Sequence, residues 1–147
     1  MSLIDDIKKH EGYSKTVYLD HLDKPTIGYG FLVQALELEE DICDIILDRK
    51  LTRNENTIRR HIDWYDDKPP KVKNIIQEMF YQLHYKLFKF KKTLKYIESD
   101  DYKAASIEML DSLWAKQCAN RAKETSEKMA RVNENLWLFT WKRFYKP

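Results

Sequence analysis

Three polar residues near the start of the chain have types and a spacing that could support acid–base chemistry: Glu11, Asp20 and Thr26. Two carboxyl groups whose surroundings favour different protonation states can act as a general acid and as a charge stabiliser or base. A hydroxyl beside an ionised carboxylate can help to hold one water molecule. An acid on one side of a bond and a held water on the other is the arrangement of inverting glycoside hydrolysis.

The chain's three glycines, Gly12, Gly28 and Gly30, fall in the same window. Because Gly28 and Gly30 alternate with Ile27 and Tyr29, we expect one strand face to carry no side chains, so that a ligand or another chain could approach the backbone. Ordinary structure would explain the same residues, since Glu-Gly at a helix end and Asp before a turn are common caps and turn formers. The residues alone leave catalysis and a purely structural role equally open.

A short helix is expected to position the first carboxyl group. Ser2 and Asp5 form a capping-box pattern, and Gly12 is suited to end the helix. Glu11 then lies in the last turn, where the negative end of the helix dipole favours the protonated carboxyl group that a general acid needs.

A β-hairpin is expected to position the other two candidates. Residues 16–19 and 26–29 are rich in β-branched and aromatic residues, and residues 21–25 between them supply turn chemistry. Asp20 would end the first strand, where water keeps it ionised, and Thr26 would open the second strand close by.

The rest of the chain reads as helical from about Leu38. The pattern predicts a long helix with a possible interruption near residues 51–56, ended by Pro69–Pro70, and an amphipathic core helix over 71–85. Further helices are predicted at about 89–98, 102–113 and 120–132. We expect the aromatic tail, residues 136–145, to fold back and close the core. The predicted fold class is therefore α+β, mostly α, in one domain with lobes at about 1–60 and 61–147.

Composition narrows the functional classes. The 26 basic residues are matched by 24 acidic ones, so the formal net charge is +2. This balance argues against a nucleic-acid binder, which would need a one-sided basic patch, and it still permits attraction to anionic polymers. Cys43 and Cys118 are expected to be buried or half-buried free thiols, and no metal-ligand spacing is present.

The termini and hydropathy suggest where the protein would accumulate. No secretory signal pattern opens the chain, and no apolar run approaches the length of a membrane span. We therefore expect accumulation in the cytoplasm, with a separate means of exit if the target lies outside.

The N-terminal residues resemble a known enzyme family. Glu11-Gly12, Tyr18-x-Asp20 and Thr26-Ile27-Gly28-x-Gly30 are similar to the motifs of the phage-type lysozymes, the endolysins of the T-even phages and their relatives in glycoside hydrolase family 24. The resemblance continues in patches over about residues 1–130. Its later segments are Met79–Gln82, Phe90–Leu94, Trp114 and Asn120–Lys123.

The resemblance implies a lysozyme-like fold, with a small N-terminal lobe containing a β-hairpin, a long connecting helix and a helical C-terminal lobe, and a sugar cleft between the lobes. It also implies hydrolysis of the β-1,4 bond between N-acetylmuramic acid and N-acetylglucosamine in peptidoglycan, without a cofactor. Glu11 would be the acid, and Asp20 and Thr26 would position the water. Arg121 would approach Glu11, and Gln82 would face the cleft.

The remaining substrate candidates are Tyr18, Gly28 and Gly30. For Tyr18, sugar contact and plain packing on the sheet are equally open, whereas Trp114 is predicted to lie in the core.

Some residues depart from the family pattern. Phe31 replaces a common histidine that is usually structural, and His84 and Tyr85 stand where many members have glycine. These departures motivate an alternative, a catalytically inactive peptidoglycan- or protein-binding module on a lysozyme scaffold. The main reading remains a monomeric phage endolysin that accumulates in the host cytoplasm, reaches peptidoglycan through a separate membrane pore and causes lysis, without nucleic-acid binding or stable membrane insertion.

Overall fold

The computed structural model describes residues 2–134, which are mostly helical with a small antiparallel sheet near the N-terminus. The predicted fold class, α+β and mostly α with a β-hairpin near the N-terminus as in a lysozyme-like fold, is confirmed. The helices are α1 (Leu3–Glu11), α2 (Glu40–His61), α3 (Pro70–Leu83), α4 (Lys91–Glu98), α5 (Tyr102–Leu110), α6 (Leu113–Gln117) and α7 (Ala119–Ala130).

The first helix and the hairpin form as predicted. The Ser2 hydroxyl accepts from the backbone N–H of Asp5, and the Asp5 side chain accepts from the Ser2 backbone, so both halves of the capping box are present. The strands β1 (Ser14–Leu19) and β2 (Pro25–Gly28) pair antiparallel. A third strand, β3 (Phe31–Leu32), pairs with β2 and was not predicted, because two residues are too short to show an alternating pattern.

The long helix α2 differs from its prediction in two ways. Its 22 residues run from Glu40 to His61 without interruption. The polar residues near its middle are compatible with the helix, because Thr52 and Thr57 donate their hydroxyl protons to carbonyl groups one turn earlier, at 3.1 and 3.0 Å. The helix also ends well before Pro69, and a short 3₁₀ turn at Tyr65–Asp67 leads into α3.

The chain divides into two compact units, one up to Ile46 and the other from Leu47, so the boundary lies within α2. Among the described residues of the first unit, Thr26 alone is buried. The single-domain assignment with lobes meeting near residue 60 stays a prediction.

The hydrophobic core lies in the second unit. The face of α3 predicted to be buried is buried, and Trp114 is 4% exposed, as expected for a core residue. The core residues are Ile58, Ile62, Tyr65, Val72, Ile75, Ile76, Met79, Phe80, Leu87, Ile97, Tyr102, Ala105, Met109, Trp114, Ala122, Met129 and Val132.

Two connections in the second unit need special local geometry. His84 follows α3 with φ +48°, a left-handed conformation that glycine adopts more easily, and opens a 3₁₀ helix over His84–Lys89. After α4, the Lys68 ammonium donates to the Glu98 carbonyl at 2.6 Å and to the Asp100 carboxylate at 2.8 Å. The Lys68 ammonium, followed by the Tyr102 hydroxyl, holds the pKa of Asp100 below its usual range.

Several other predictions concern single features. Cys43 is exposed, so the expectation that both thiols would be at least half-buried is wrong for it, because this part of α2 buries no side chain; Cys118 is half-buried. The separate helix α6 was not predicted. The aromatic tail lies outside the described residues. None of the helices within residues 2–134 is both long enough and apolar enough to cross a membrane.

Candidate active site

The carboxyl group of Glu11 lies against the turn between β2 and β3. Gly12 ends α1 with φ +68°, and its N–H donates to the Lys8 carbonyl at 3.0 Å. The Glu11 side chain reaches Gly30, where an added Cβ would lie 3.0 Å from Glu11 Cδ and would overlap Oε2. Gly30 also has φ +75°, a backbone conformation that favours glycine. The absence of a side chain at Gly30 also leaves the space that the Glu11 carboxyl group occupies.

The carboxylate of Asp20 organises the loop between β1 and β2. Its Oδ1 atom accepts from the backbone N–H groups of Leu22, at 2.8 Å, and Lys24, at 2.9 Å. The hydrogen bond from the Lys24 N–H is the main cause that holds the pKa of Asp20 below its usual range, and the Leu22 N–H acts in the same direction. The ionised form predicted from the sequence is therefore favoured.

Thr26 is connected to the same loop. Its side chain is buried, with the residue 2% exposed, and Oγ1 donates to the Lys24 carbonyl at 3.0 Å. The Lys24 backbone thus donates to Asp20 and accepts from Thr26. The sequence reasoning missed this bridge, although an aspartate at the start of a tight loop is a known signal for side-chain-to-backbone hydrogen bonds.

The strand register places two candidates on one face of the sheet. Tyr18 and Thr26 are directly paired across β1 and β2, so their side chains share a face. Asp20 follows the end of β1, and its carboxylate binds the backbone of the loop between β1 and β2. Gly28 is two residues, about 7 Å, beyond Thr26 along β2. The hairpin therefore carries the hydroxyl and the ionised carboxylate, and Glu11 lies against the turn at its other end.

The glycine-lined face is not empty, and the prediction of a bare face is wrong. Gly28 and Gly30 have φ of +70° and +75° at the β2–β3 turn, rather than alternating within one strand. A Cβ on Gly28 would lie 2.7 Å from the Phe31 ring, and the place beside Gly30 is taken by Glu11. Substrate contact by these glycines, and by Tyr18, which is 38% exposed, stays a prediction.

Gln82 and Arg121, the two candidate residues of the second unit, form no hydrogen bond with each other. The buried Trp114 donates its indole N–H to Gln82 Oε1 at 2.8 Å, which leaves the Gln82 amide nitrogen without a partner among residues 2–134. Arg121, exposed on α7, lines an open pocket of about 380 Å³ together with Tyr81 and Gln77. Their roles in substrate binding stay predictions.

Comparison with known proteins shows that the chain matches one protein family. The family model described as phage lysozyme matches residues 8–131. This range includes the predicted catalytic residues and both candidates of the second unit. No curated protein matches the chain.

The contact between Glu11 and Gly30 can be tested with a matched pair of glycine substitutions. We expect Gly30→Ala and Gly12→Ala each to lower the free energy of unfolding by about 1–2 kcal/mol, because both positions have left-handed φ. A methyl group on Gly12 would meet no atom within 4 Å, so Gly30→Ala alone should displace the Glu11 carboxyl group. Urea unfolding and the ¹³C carboxyl resonance of Glu11 measure the two effects. An equal shift of that resonance in both variants would contradict the contact.

The protonation state of Asp20 can be followed by NMR through the backbone amides that donate to its carboxylate. We expect the N–H resonances of Leu22 and Lys24 to titrate together, with a midpoint below the ordinary aspartate value of about 3.9. Since the pKa is lowered in the folded protein, Asp20 stabilises the fold above about pH 4, and this contribution is lost as the pH falls through the folded value. Asp20→Asn should keep the acceptor oxygen and abolish the titration. A midpoint above 4 would exclude the proposed role of these hydrogen bonds.

Proposed function

Because the chain belongs to the phage lysozyme family, we propose that it hydrolyses the β-1,4 bond between N-acetylmuramic acid and N-acetylglucosamine in bacterial peptidoglycan. At the level of the family, the protein is a peptidoglycan-lytic lysozyme of the endolysin type. The identity of the cleaved bond, the roles of the individual residues and lysis of the host are what we propose beyond the family assignment. The observation that carries it is the arrangement of Glu11, Asp20 and Thr26 on one short helix and one hairpin.

Glu11 is the proton donor in this mechanism. Hydrolysis needs an acid that protonates the oxygen of the leaving sugar as the bond breaks. Glu11 is an exposed residue, and its carboxyl group lies against Gly30 at the end of the hairpin. A leaving-group oxygen can therefore reach it without a rearrangement of the sheet.

Asp20 and Thr26 hold the attacking water. Thr26 Oγ1 already donates its proton to the Lys24 carbonyl, so its lone pairs remain to accept from a water molecule. Asp20 uses Oδ1 for the loop, and within residues 2–134 no hydrogen bond involves Oδ2. A water that donates one proton to each of these oxygens presents its own lone pair to the anomeric carbon, and Asp20 takes up a proton as the bond forms.

In the proposed reaction, a water held by Asp20 and Thr26 attacks the anomeric carbon directly, so the configuration at that carbon is inverted. Inverting enzymes separate their two carboxyl groups by roughly 6.5–9.5 Å, which leaves room for the water. Tyr18, Gly28, Gly30, Gln82 and Arg121 are the proposed substrate contacts.

Product analysis with an acid-deficient variant tests the reaction. We expect the protein to clear a peptidoglycan suspension, and Glu11→Gln to do so at least about 100-fold more slowly, because the amide cannot donate the proton. After borohydride reduction, the new ends should be N-acetylmuramitol, and ¹H NMR should show the α-anomer first.

The outcomes of this experiment separate the alternatives. Glu37→Gln, an exposed glutamate of the same unit, is the matched control and should clear like the parent protein. N-acetylglucosaminitol ends would show that the other glycosidic bond is cleaved, which contradicts the proposed bond specificity. A β-anomer as the first product would contradict direct attack by a water that Asp20 and Thr26 hold. Peptidoglycan binding without clearing by the parent protein would support the inactive binding module instead.

Host lysis is tested in cells. We propose that the protein accumulates in the host cytoplasm and reaches peptidoglycan through a separate membrane pore. Cultures that express the protein alone should stay turbid, cultures that also express a phage pore protein should clear within minutes, and Glu11→Gln with the pore should not clear. Clearing without any pore would overturn the proposed route.

A further inference from the structure

A second surface, unrelated to the candidate active site, carries a concentration of positive charge. Five lysines lie within ten residues of the 3₁₀ helix and α4, and all five are exposed. We call them the lysine surface: Lys86, Lys89, Lys91, Lys92 and Lys95. No acidic residue lies between the first and the last of them.

Helix geometry gathers these lysines on the solvent side. In a 3₁₀ helix, residues three apart are eclipsed, so Lys86 and Lys89 point the same way. On α4, Lys95 is four residues after Lys91 and three after Lys92, which places the three on one face. The opposite side of α4 is buried through Thr93 and Ile97.

Little of this charge is neutralised locally. Within residues 2–134, the lysine surface makes one ion pair, between Lys92 and Glu108, with the nitrogen and oxygen 3.9 Å apart and Lys92 80% exposed. Such an exposed pair contributes little. Glu108 and Asp111 line one adjoining pocket of about 360 Å³ with Lys89, Lys91 and Lys92.

Acidic groups also border the other end of the lysine surface. Asp63, Asp67 and Glu98 line a pocket of about 680 Å³ with Lys91 and Lys95. None of them lies within ion-pair distance of a lysine of the surface in the part of the chain that the structure describes. Four of the five ammonium groups therefore make no ion pair within residues 2–134, Lys92 makes one long pair, and all five are exposed to a partner.

The charge is concentrated here relative to the rest of the protein. The first unit has 4 basic and 10 acidic residues, a net charge of −6, and the second has 22 basic and 14 acidic residues, a net charge of +8. Five of those 22 basic residues belong to the lysine surface. A flexible anionic chain would be attracted to this exposed group of lysines.

The aromatic residues among and next to the lysines argue against single-stranded nucleic acid as the partner. Proteins that bind such strands combine basic grooves with exposed rings on which bases stack. Here Phe88, Phe90 and Tyr96 are half-buried and pack against the core, and Phe88 also stacks on His61, with ring centroids 4.4 Å apart. Of the tyrosines and phenylalanines in this segment, Tyr85 is the one that is exposed.

We propose that the lysine surface binds a linear polymer joined by phosphodiester bonds, of the kind attached to peptidoglycan. Its phosphates carry the charge opposite to that of the exposed ammonium groups, and it needs no stacking platform. A polymer anchored to the substrate would also raise the local concentration of the protein at the bonds that it cleaves. This last step rests on the proposed function, whereas the binding itself does not.

Binding of isolated poly(glycerol phosphate), labelled with a fluorophore, tests the proposal by anisotropy at 50 and 200 mM salt. We expect the variant Lys86→Gln/Lys89→Gln/Lys91→Gln to bind at least about tenfold more weakly. The slope of log K against log salt should become shallower by about 2, because each lost phosphate contact removes about 0.7–0.9.

A second triple variant controls for net charge. Lys103→Gln/Lys116→Gln/Lys123→Gln changes the same number of exposed lysines in the second unit and should bind like the parent protein. Equal weakening by the two variants would overturn the proposal, and circular dichroism verifies that both fold.

Two further probes test other partners. Tighter binding to single-stranded DNA with the same number of phosphates, lost in the first variant, would overturn the proposal in favour of nucleic acid. Tighter binding to phosphatidylglycerol vesicles would do so in favour of a membrane surface. The measurement involves no cleavage, so its failure leaves the proposed hydrolysis untouched.

Discussion

The geometry of the candidate active site depends on one interaction, the pair of hydrogen bonds from the Leu22 and Lys24 backbone to the Asp20 carboxylate. These bonds close the loop between β1 and β2 and bring the Lys24 carbonyl to the hydroxyl of Thr26. The same bonds favour the ionised form of Asp20. One carboxylate therefore closes the loop with one oxygen, while its other oxygen has no partner within residues 2–134, so the proposed catalytic role of Asp20 would not compete with its structural one.

Local interactions of this kind matter more in the first unit than in the second. Thr26 is the buried residue among the described residues of the first unit, whereas the second unit contains the hydrophobic core. The positions of Glu11 and Asp20 consequently depend on a helix cap, a few backbone hydrogen bonds and glycines with positive φ. Packing plays the larger part in the second unit, where the buried Trp114 fixes the side-chain oxygen of Gln82.

The sequence predicts features that depend on neighbours along the chain. The capping box at Ser2, the hairpin and the buried face of α3 follow from short-range spacing, and all are confirmed. Features that depend on side chains meeting in space were missed. Gly28 and Gly30 were interpreted as an open strand face, because no spacing rule shows that the Phe31 ring and the Glu11 carboxyl group fill that space.

The possible interruption of the long helix near residues 51–56 is a point that the sequence left open. The structure shows a continuous helix, with which the hydroxyl-to-carbonyl hydrogen bond of Thr52 is compatible. The family resemblance, which rests on residue types at fixed spacing, added Gln82 and Arg121 to the site candidates, which periodicity alone did not single out. The chemical roles of those candidates remain proposals, because spacing does not determine which oxygen a carboxylate leaves unpaired.

The net charge of a whole chain hides differences in charge between its parts. The value of +2 suggests a surface of mixed sign, yet it is the difference between a unit with a net charge of −6 and one with a net charge of +8. Potentials near a surface depend on charges within a Debye length, about 8–10 Å at moderate salt, and not on the total. The carboxylates proposed for catalysis belong to the negative unit and the lysine surface to the positive one. An anionic polymer drawn to those lysines is therefore not attracted by the net charge of the unit that carries Glu11.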